Sequence, residues 1–205
     1  ASRRNWYLLA PYQTSNVGQS QNSYASVQSQ ENVQAAIDFV TQQFEVDLDR
    51  VYGIGFSMGG GSALSYAARH QDRSRGAFAA VVNHTGSVAL ADVYDRGSLA
   101  VQDEMRLVFG ASPLQAAFEY QRSSLIEVDS VGSFIAGGRH MGFNLAGIPV
   151  RSYYSPSDPL LHLVDQTLAF GAFMNSVPGA VHELVMATAG TGCGHCWETM
   201  DERGA

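Results

Sequence analysis

Lysine is absent from this chain: all 12 basic residues are arginine. Without lysine there is no Schiff-base chemistry, no Walker-type phosphate loop and no Ser–Lys catalysis. Positive charge is scarce in general. Twelve arginines face 19 acidic residues, so the net charge is −7 and the pI is near 5.2, a balance that disfavours binding to the phosphate backbone of a nucleic acid. No apolar stretch reaches the ~18–20 residues that a membrane span requires. Cysteine is limited to Cys193 and Cys196. The first residue is Ala1 rather than methionine, which reads as a processed or trimmed start and keeps a secreted or periplasmic location open.

What is present is apolar and glycine-rich. With 45% hydrophobic residues over 205 positions, the chain can bury a sizeable core, and one domain spanning residues 1–205 is the expectation. The most informative stretch is Val51-Tyr52-Gly53-Ile54-Gly55-Phe56-Ser57-Met58-Gly59-Gly60-Gly61. A short apolar strand runs into Gly-x-Ser-x-Gly, and a helix-compatible run follows from Ser62 to His70. That is the pattern of a nucleophile elbow, where a serine sits on a strained strand-to-helix turn with its hydroxyl exposed. Gly55 and Gly59 are expected at positions where a side chain would collide as the chain reverses. The helix N-terminus favours negative charge developing beside Ser57.

A serine nucleophile needs a base, and the base an orienting acid. Residues Ile148 to Tyr154 read as a strand entering the turn-rich Ser155-Pro156-Ser157-Asp158-Pro159. Residues Val181 to Ala187 read as the last strand, with His195 in the glycine-rich loop after it. In a parallel sheet both loops lie at the edge that carries Ser57, so Ser57, Asp158 and His195 are the expected triad. Asp165 is the alternative acid, and Asp129, in an irregular region, is a weaker one. Among the other histidines, His182 falls inside a strand and His70 at a helix C-terminus, while His140 and His162 read as surface or cap residues. His84 follows a strand at Phe78 to Val82 on the active edge and is expected to line the pocket, with Phe56 and Trp197 as further substrate contacts.

These residues carry a family resemblance. The lead Phe44-Glu45-Val46-Asp47-Leu48-Asp49-Arg50-Val51-Tyr52 into GIGFSMGGGSAL resembles the polyhydroxybutyrate depolymerase and feruloyl esterase group of α/β-hydrolases. The setting Gly192-Cys193-Gly194-His195-Cys196-Trp197 is similar to the histidine motif of that group. The resemblance implies an α/β-hydrolase fold, a mostly parallel sheet flanked by helices with a helical cap insertion. It also implies Ser57 as nucleophile, Asp158 as acid, His195 as base and Met58 as oxyanion donor, with no metal or organic cofactor.

The front of the chain departs from the family. Trp6-Tyr7-Leu8-Leu9-Ala10-Pro11 looks like its fourth strand, because only one helix, Glu31 to Phe44, fits before Val51. The third strand, which in the family lies between the fourth and fifth, is then missing. Unpaired buried backbone is costly, so a preceding segment or separate chain is expected to complete the sheet. The other reading makes Trp6 to Ala10 the third strand of a minimal variant, with Tyr12 or Gln13 as second oxyanion donor. Between Val82 and Ile148 lie about 65 residues, far more than one crossover helix needs. Helical patterning at Leu99 to Phe109 and Pro113 to Gln121 marks a cap insertion at about 84–146. Its Phe109, Phe118, Tyr120, Phe134, Met141 and Phe143 belong either to an acyl pocket or to the packing of the cap.

The expected activity is therefore hydrolysis of a small or polymeric carboxylic ester through an acyl-enzyme. Two alternatives stand beside it. One is a non-catalytic binding protein on the same fold. The other is a dithiol oxidoreductase using Cys193 and Cys196, although a thioredoxin-like motif should open a helix early in its fold rather than close a chain. A zinc site on both cysteines and His195 lacks a fourth ligand at suitable spacing. A disulfide between the cysteines and two free thiols are both open readings.

Overall fold

The computed structural model describes residues 6–11, 23–187 and 195. Four parallel strands form one sheet in the order β1-β2-β3-β4, with β1 at Tyr52–Phe56, β2 at Ala80–His84, β3 at Pro149–Tyr154 and β4 at Val181–Met186. Adjacent parallel strands need crossovers, and their fixed right hand places successive helices on one face. Helices α2 (Met58–Arg69) and α6 (Leu161–Ser176) are such crossovers, and α1 (Val27–Gln43), which precedes β1, packs on α2. Tyr66 of α2 stacks on Phe78 and donates to Gln34 of α1, and Gly171 of α6 lies against Leu184 and His182 of β4. The covered face carries Val81, Asn83, Val150 and Ser152, all buried. On the opposite face Tyr52 and Ile54 are half exposed, and Arg151 pairs with Glu183 at 2.6 Å across the β3–β4 rung.

The long connection between β2 and β3 contains α3 (Leu90–Arg96), α4 (Leu99–Phe109), α5 (Ala117–Gln121) and a 3-10 turn at Met141–Leu145. Helix α4 matches its sequence pattern at both ends: Ser98 accepts from the Val101 N–H, and Gly110 stops it at φ 85°, a left-handed cap that suits glycine. The connection builds two cores. Val88, Ala89, Leu125, Ile126 and Leu145 join the main core under α2 and α6, whereas Leu90, Val93, Tyr94, Met105, Val108, Phe109 and Tyr120 form a second cluster with Tyr24 and Leu163. Its aromatic residues are mostly packing groups. Phe109 and Tyr120 are buried, and Phe134 and Phe143 meet Phe173 edge-on. Phe118 is exposed beneath the Arg122 guanidinium.

One expected strand does not form. Trp6 to Pro11 has no strand structure, and Trp6, Tyr7 and Leu8 are more than half exposed. A strand is defined by ladder hydrogen bonds, and this segment is separated from β1 by a cavity of about 670 Å³. Val33, Ile37, Tyr52, Gly53, Ile54 and Tyr66 are among the residues that line it. Among the described residues, β1 is an edge strand, and no helix is long and apolar enough to cross a membrane.

Phe173 is 1% exposed and touches Phe134, His140, Phe143 and Phe170. Phe173→Ala is expected to lower unfolding free energy by about 3–5 kcal/mol. Leu114→Ala, at a side chain 93% exposed, should change it by no more than about 0.5 kcal/mol. Urea denaturation of both variants checks the assignment, and equal losses would contradict it.

Candidate active site

Ser57 is set by its backbone before its side chain is considered. It has φ 54° and ψ −124°, a left-handed conformation that costs a non-glycine residue on the order of 1–3 kcal/mol. The conformation is held from both sides. The Ser57 N–H donates to the His84 carbonyl at 2.9 Å, and the Ser57 carbonyl accepts from Gly60, Gly61 and Ser87. Glycine is required around it, though not quite where expected. A Cβ on Gly55 would overlap the Gly59 carbonyl, one on Gly60 the Asn83 side chain, and one on Gly61 the Ser87 carbonyl. A Cβ on Gly59 meets nothing, so the steric role expected of Gly59 falls to Gly60 and Gly61 instead. Helix α2 starts directly after Ser57, at Met58 rather than Ser62. The Met58 N–H is consequently one of the amides that a helix N-terminus leaves without an intrahelical acceptor.

The three residues expected to converge do meet. His195 Nε2 lies 2.9 Å from Ser57 Oγ, and His195 Nδ1 lies 2.7 Å from Asp158 Oδ2. A proton on Nδ1 satisfies both contacts: Nδ1–H donates to the carboxylate, and the Ser57 hydroxyl donates to Nε2. Asp158 is 1% exposed, and its other oxygen accepts from the Leu160 N–H at 2.8 Å. Its own N–H donates to the Ser155 carbonyl, so the Ser-Pro-Ser-Asp turn fixes the carboxylate after β3. A hydroxyl, imidazole and buried carboxylate bonded in series can move a proton off the hydroxyl and stabilise the imidazolium that results.

The competing groups are occupied elsewhere. Asp165 pairs with Arg96 at 2.6 Å, and Asp129 accepts from the Val131 and Ser133 N–H groups in its own loop. His182 contacts Ser152 Oγ at 3.0 Å inside the sheet, and His70 caps α2 while stacking on Tyr66. His162 is half-buried in α6. His140, expected at the surface, is 8% exposed: its Nδ1 accepts from the Glu127 N–H, its Nε2 reaches the Ile135 carbonyl, and Phe134, Phe143 and Phe173 surround it.

His84 requires a further correction. It lies on the expected edge of the sheet but has no exposed surface, so it does not line a pocket; it stacks behind Phe56 at 5.1 Å. Phe56 itself is half-buried and faces His195 at 4.8 Å. Trp197, Cys193, Cys196, Tyr12 and Gln13 lie outside the described residues. Sequence reasoning missed Tyr24. Its N–H donates to Met58 Sδ at 3.4 Å and its hydroxyl to Glu104 at 2.9 Å, and both Tyr24 and Ala25 have positive φ. Nothing in the local sequence there announces a left-handed pair. Among the described residues no group of three His, Cys, Asp or Glu side chains is placed to hold a metal ion.

No family model matches the sequence, and no curated protein matches it. The fold does match solved structures. An acylaminoacyl peptidase from Pyrococcus horikoshii aligns with TM-score 0.61 at 15% identity, over 95% of this chain and 28% of that one. A puromycin hydrolase aligns with TM-score 0.61 at 18% identity, over 87% and 24%. Carboxyl esterase 2 from the fungus Tuber melanosporum aligns with TM-score 0.56 at 16% identity, over 87% and 57%. All are α/β-hydrolase folds, and this chain has that fold. It spans about a quarter of the length of the first two of these structures.

Burial shifts four histidines outside the triad. It is the main cause holding His70, His84, His162 and His182 below the ordinary imidazole pKa. At His84 the Asp158 carboxylate opposes the shift and His195 adds to it. Each of the four takes up a proton less readily in the fold than in the unfolded chain, which takes it up near pH 6.5. The unfolded state then binds more protons below that pH, and stability falls as pH drops from about 6.5 toward the lowered folded values. The urea midpoint should therefore fall between about pH 7.5 and about pH 5.5. His70→Gln, away from the site, should reduce that fall; a midpoint indifferent to pH would contradict the burial argument.

Proposed function

We propose that this chain is a serine hydrolase that cleaves carboxylic esters through an acyl-enzyme. The observation that carries the reading is the pair of hydrogen bonds from His195, 2.9 Å to Ser57 and 2.7 Å to the buried Asp158, on an elbow whose serine is held with φ 54°. Residues 1–205 are read as one domain with an insertion at about 84–146.

The mechanism follows from the geometry. His195 Nε2 takes the Ser57 proton as Oγ attacks the ester carbonyl, while Asp158 holds the ring in its tautomer and stabilises the imidazolium. The Met58 N–H and a second donor outside the motif stabilise the tetrahedral oxyanion; loss of one such donor costs about 2.7–4 kcal/mol of barrier. The imidazolium then protonates the leaving alcohol. Water attacks the acyl-enzyme with His195 as base, and Ser57 is regenerated. No step calls for a metal or cofactor. The resemblance to the polyhydroxybutyrate depolymerase and feruloyl esterase group favours small or aromatic acyl groups, with Trp197 as a substrate contact.

The edge of β1 is read as the seat of a further strand, from a preceding segment or a separate chain. Its support is the apolar cavity beside Gly53 and Ile54 and the buried Ser62 hydroxyl lining it, which has no partner among the described residues. The same gap favours a second reading, a binding protein whose oxyanion hole is incomplete. Amide exchange along β1 tests the seat: occupancy should protect the outward-facing amides, and an occupant that leaves them unprotected would remove the idea.

The hydrolase reading is tested with p-nitrophenyl acetate and butyrate and a fluorophosphonate label. Turnover and labelling at Ser57 are expected, both lost in Ser57→Ala, with kcat down about 10⁴-fold in Asp158→Asn. Turnover that persists in Ser57→Ala would sink the proposal. An unlabelled wild-type chain would favour the binding protein. Disulfide exchange that survives Ser57→Ala and disappears in Cys193→Ser would point to the dithiol alternative.

A further inference from the structure

The last register row shared by β1, β2 and β3 is aromatic on all three strands. Phe56 of β1 pairs with His84 of β2, and His84 with Tyr153 of β3. Paired residues in parallel strands share a face, so the three rings stand side by side. Phe56 and His84 are stacked at 5.1 Å and 26°, and His84 and Tyr153 at 6.5 Å and 26°. His84 and Tyr153 are buried, at 0% and 7% exposure. At the free end of the row, the Phe56 ring meets the His195 imidazole at 4.8 Å and 48°.

Among the described residues, His195 otherwise makes two hydrogen bonds, one at each ring nitrogen. Such contacts fix where the nitrogens point but restrain rocking of the ring about the line between them only weakly. A ring contact from the side, tilted here at 48°, supplies that restraint. We propose that Phe56 is a positioning residue for His195, its ring holding the imidazole on the line from Ser57 to Asp158 while His84 and Tyr153 hold Phe56 from behind. The inference rests on the hydrolase reading above and deepens it.

The contact also distinguishes charge states. An aromatic face attracts a cation more strongly than a neutral ring, so the Phe56 contact strengthens when His195 takes the Ser57 proton. An interaction stronger in the transition state than in the ground state raises kcat rather than lowering KM. Among the described residues, the titratable groups around His195 are Asp158 on the loop after β3, His84 on β2 and His162 on α6. All three are retained in the variants below.

The experiment compares wild type with Phe56→Leu, which keeps the site apolar but removes the ring, and Phe56→Tyr, which restores it. Phe56→Leu is expected to lower kcat by about tenfold with little change in KM. The acid limb of kcat/KM should move to lower pH by about half a unit, and Phe56→Tyr should recover both. NMR titration of the His195 ring reads the same shift without turnover, and a thermal melt reports whether Phe56→Leu is folded. A raised KM with kcat and the acid limb unmoved would make Phe56 a substrate contact and overturn the proposal, as would an unshifted His195 titration in a folded Phe56→Leu protein. Failure of the hydrolase reading is a separate result, seen as wild-type protein that neither turns over nor takes the fluorophosphonate.

Discussion

The site depends on one backbone conformation, that of Ser57. Its left-handed φ turns the chain from β1 into α2 within a single residue, and four main-chain hydrogen bonds hold it there. Those bonds tie three elements to one residue: the end of β2 through His84, the first turn of α2 through Gly60 and Gly61, and the start of the insertion through Ser87. The glycines that allow this approach have the backbone or side chain of a neighbour where a Cβ would go. The strain is small beside the packing it organises, because α2 buries Leu64, Tyr66, Ala67 and Ala68 once it leaves the elbow. The serine hydroxyl is thus placed by rigid elements rather than by its own rotamer.

Much of this was legible in the sequence because it is local. The apolar strands, the elbow, the Leu99 to Phe109 helix, and the placing of Asp158 and His195 on loops after strands all follow from short-range patterns. What sequence reasoning missed is non-local. Trp6 to Ala10 has strand propensity, but a ladder needs a neighbour, and the segment faces a cavity. His84 was placed on the correct edge, yet its burial comes from Phe56 and Tyr153 on two other strands. His140 is enclosed by phenylalanines from three separate segments. The start of α2 was obscured by its three glycines, residues that disfavour helices on propensity. Here the elbow imposes the helix and the close packing imposes the glycines.

The sheet is also asymmetric. Helices α1, α2 and α6 cover one face, while the other presents Tyr52, Ile54 and the Arg151–Glu183 pair. The right-handed crossovers of a sheet whose strands follow chain order give this arrangement. The aromatic row of Phe56, His84 and Tyr153 lies on that second face but at its end, where His195 meets Phe56 and where His84 and Tyr153 are buried. The same face is therefore exposed at one end and sealed at the other.

A last consequence concerns the order in which the molecule assembles. Ser57 and His195 are 138 positions apart and Asp158 and His195 are 37 apart, and the whole insertion separates the paired strands β2 and β3. Loop closures of this length precede any reward from the contacts they make, so topologies of this kind fold slowly relative to local helices. The hydroxyl can exist on its elbow before the imidazole arrives. In refolding, the helical signal reports local contacts, whereas the Ser57–His195 hydrogen bond reports a long-range one.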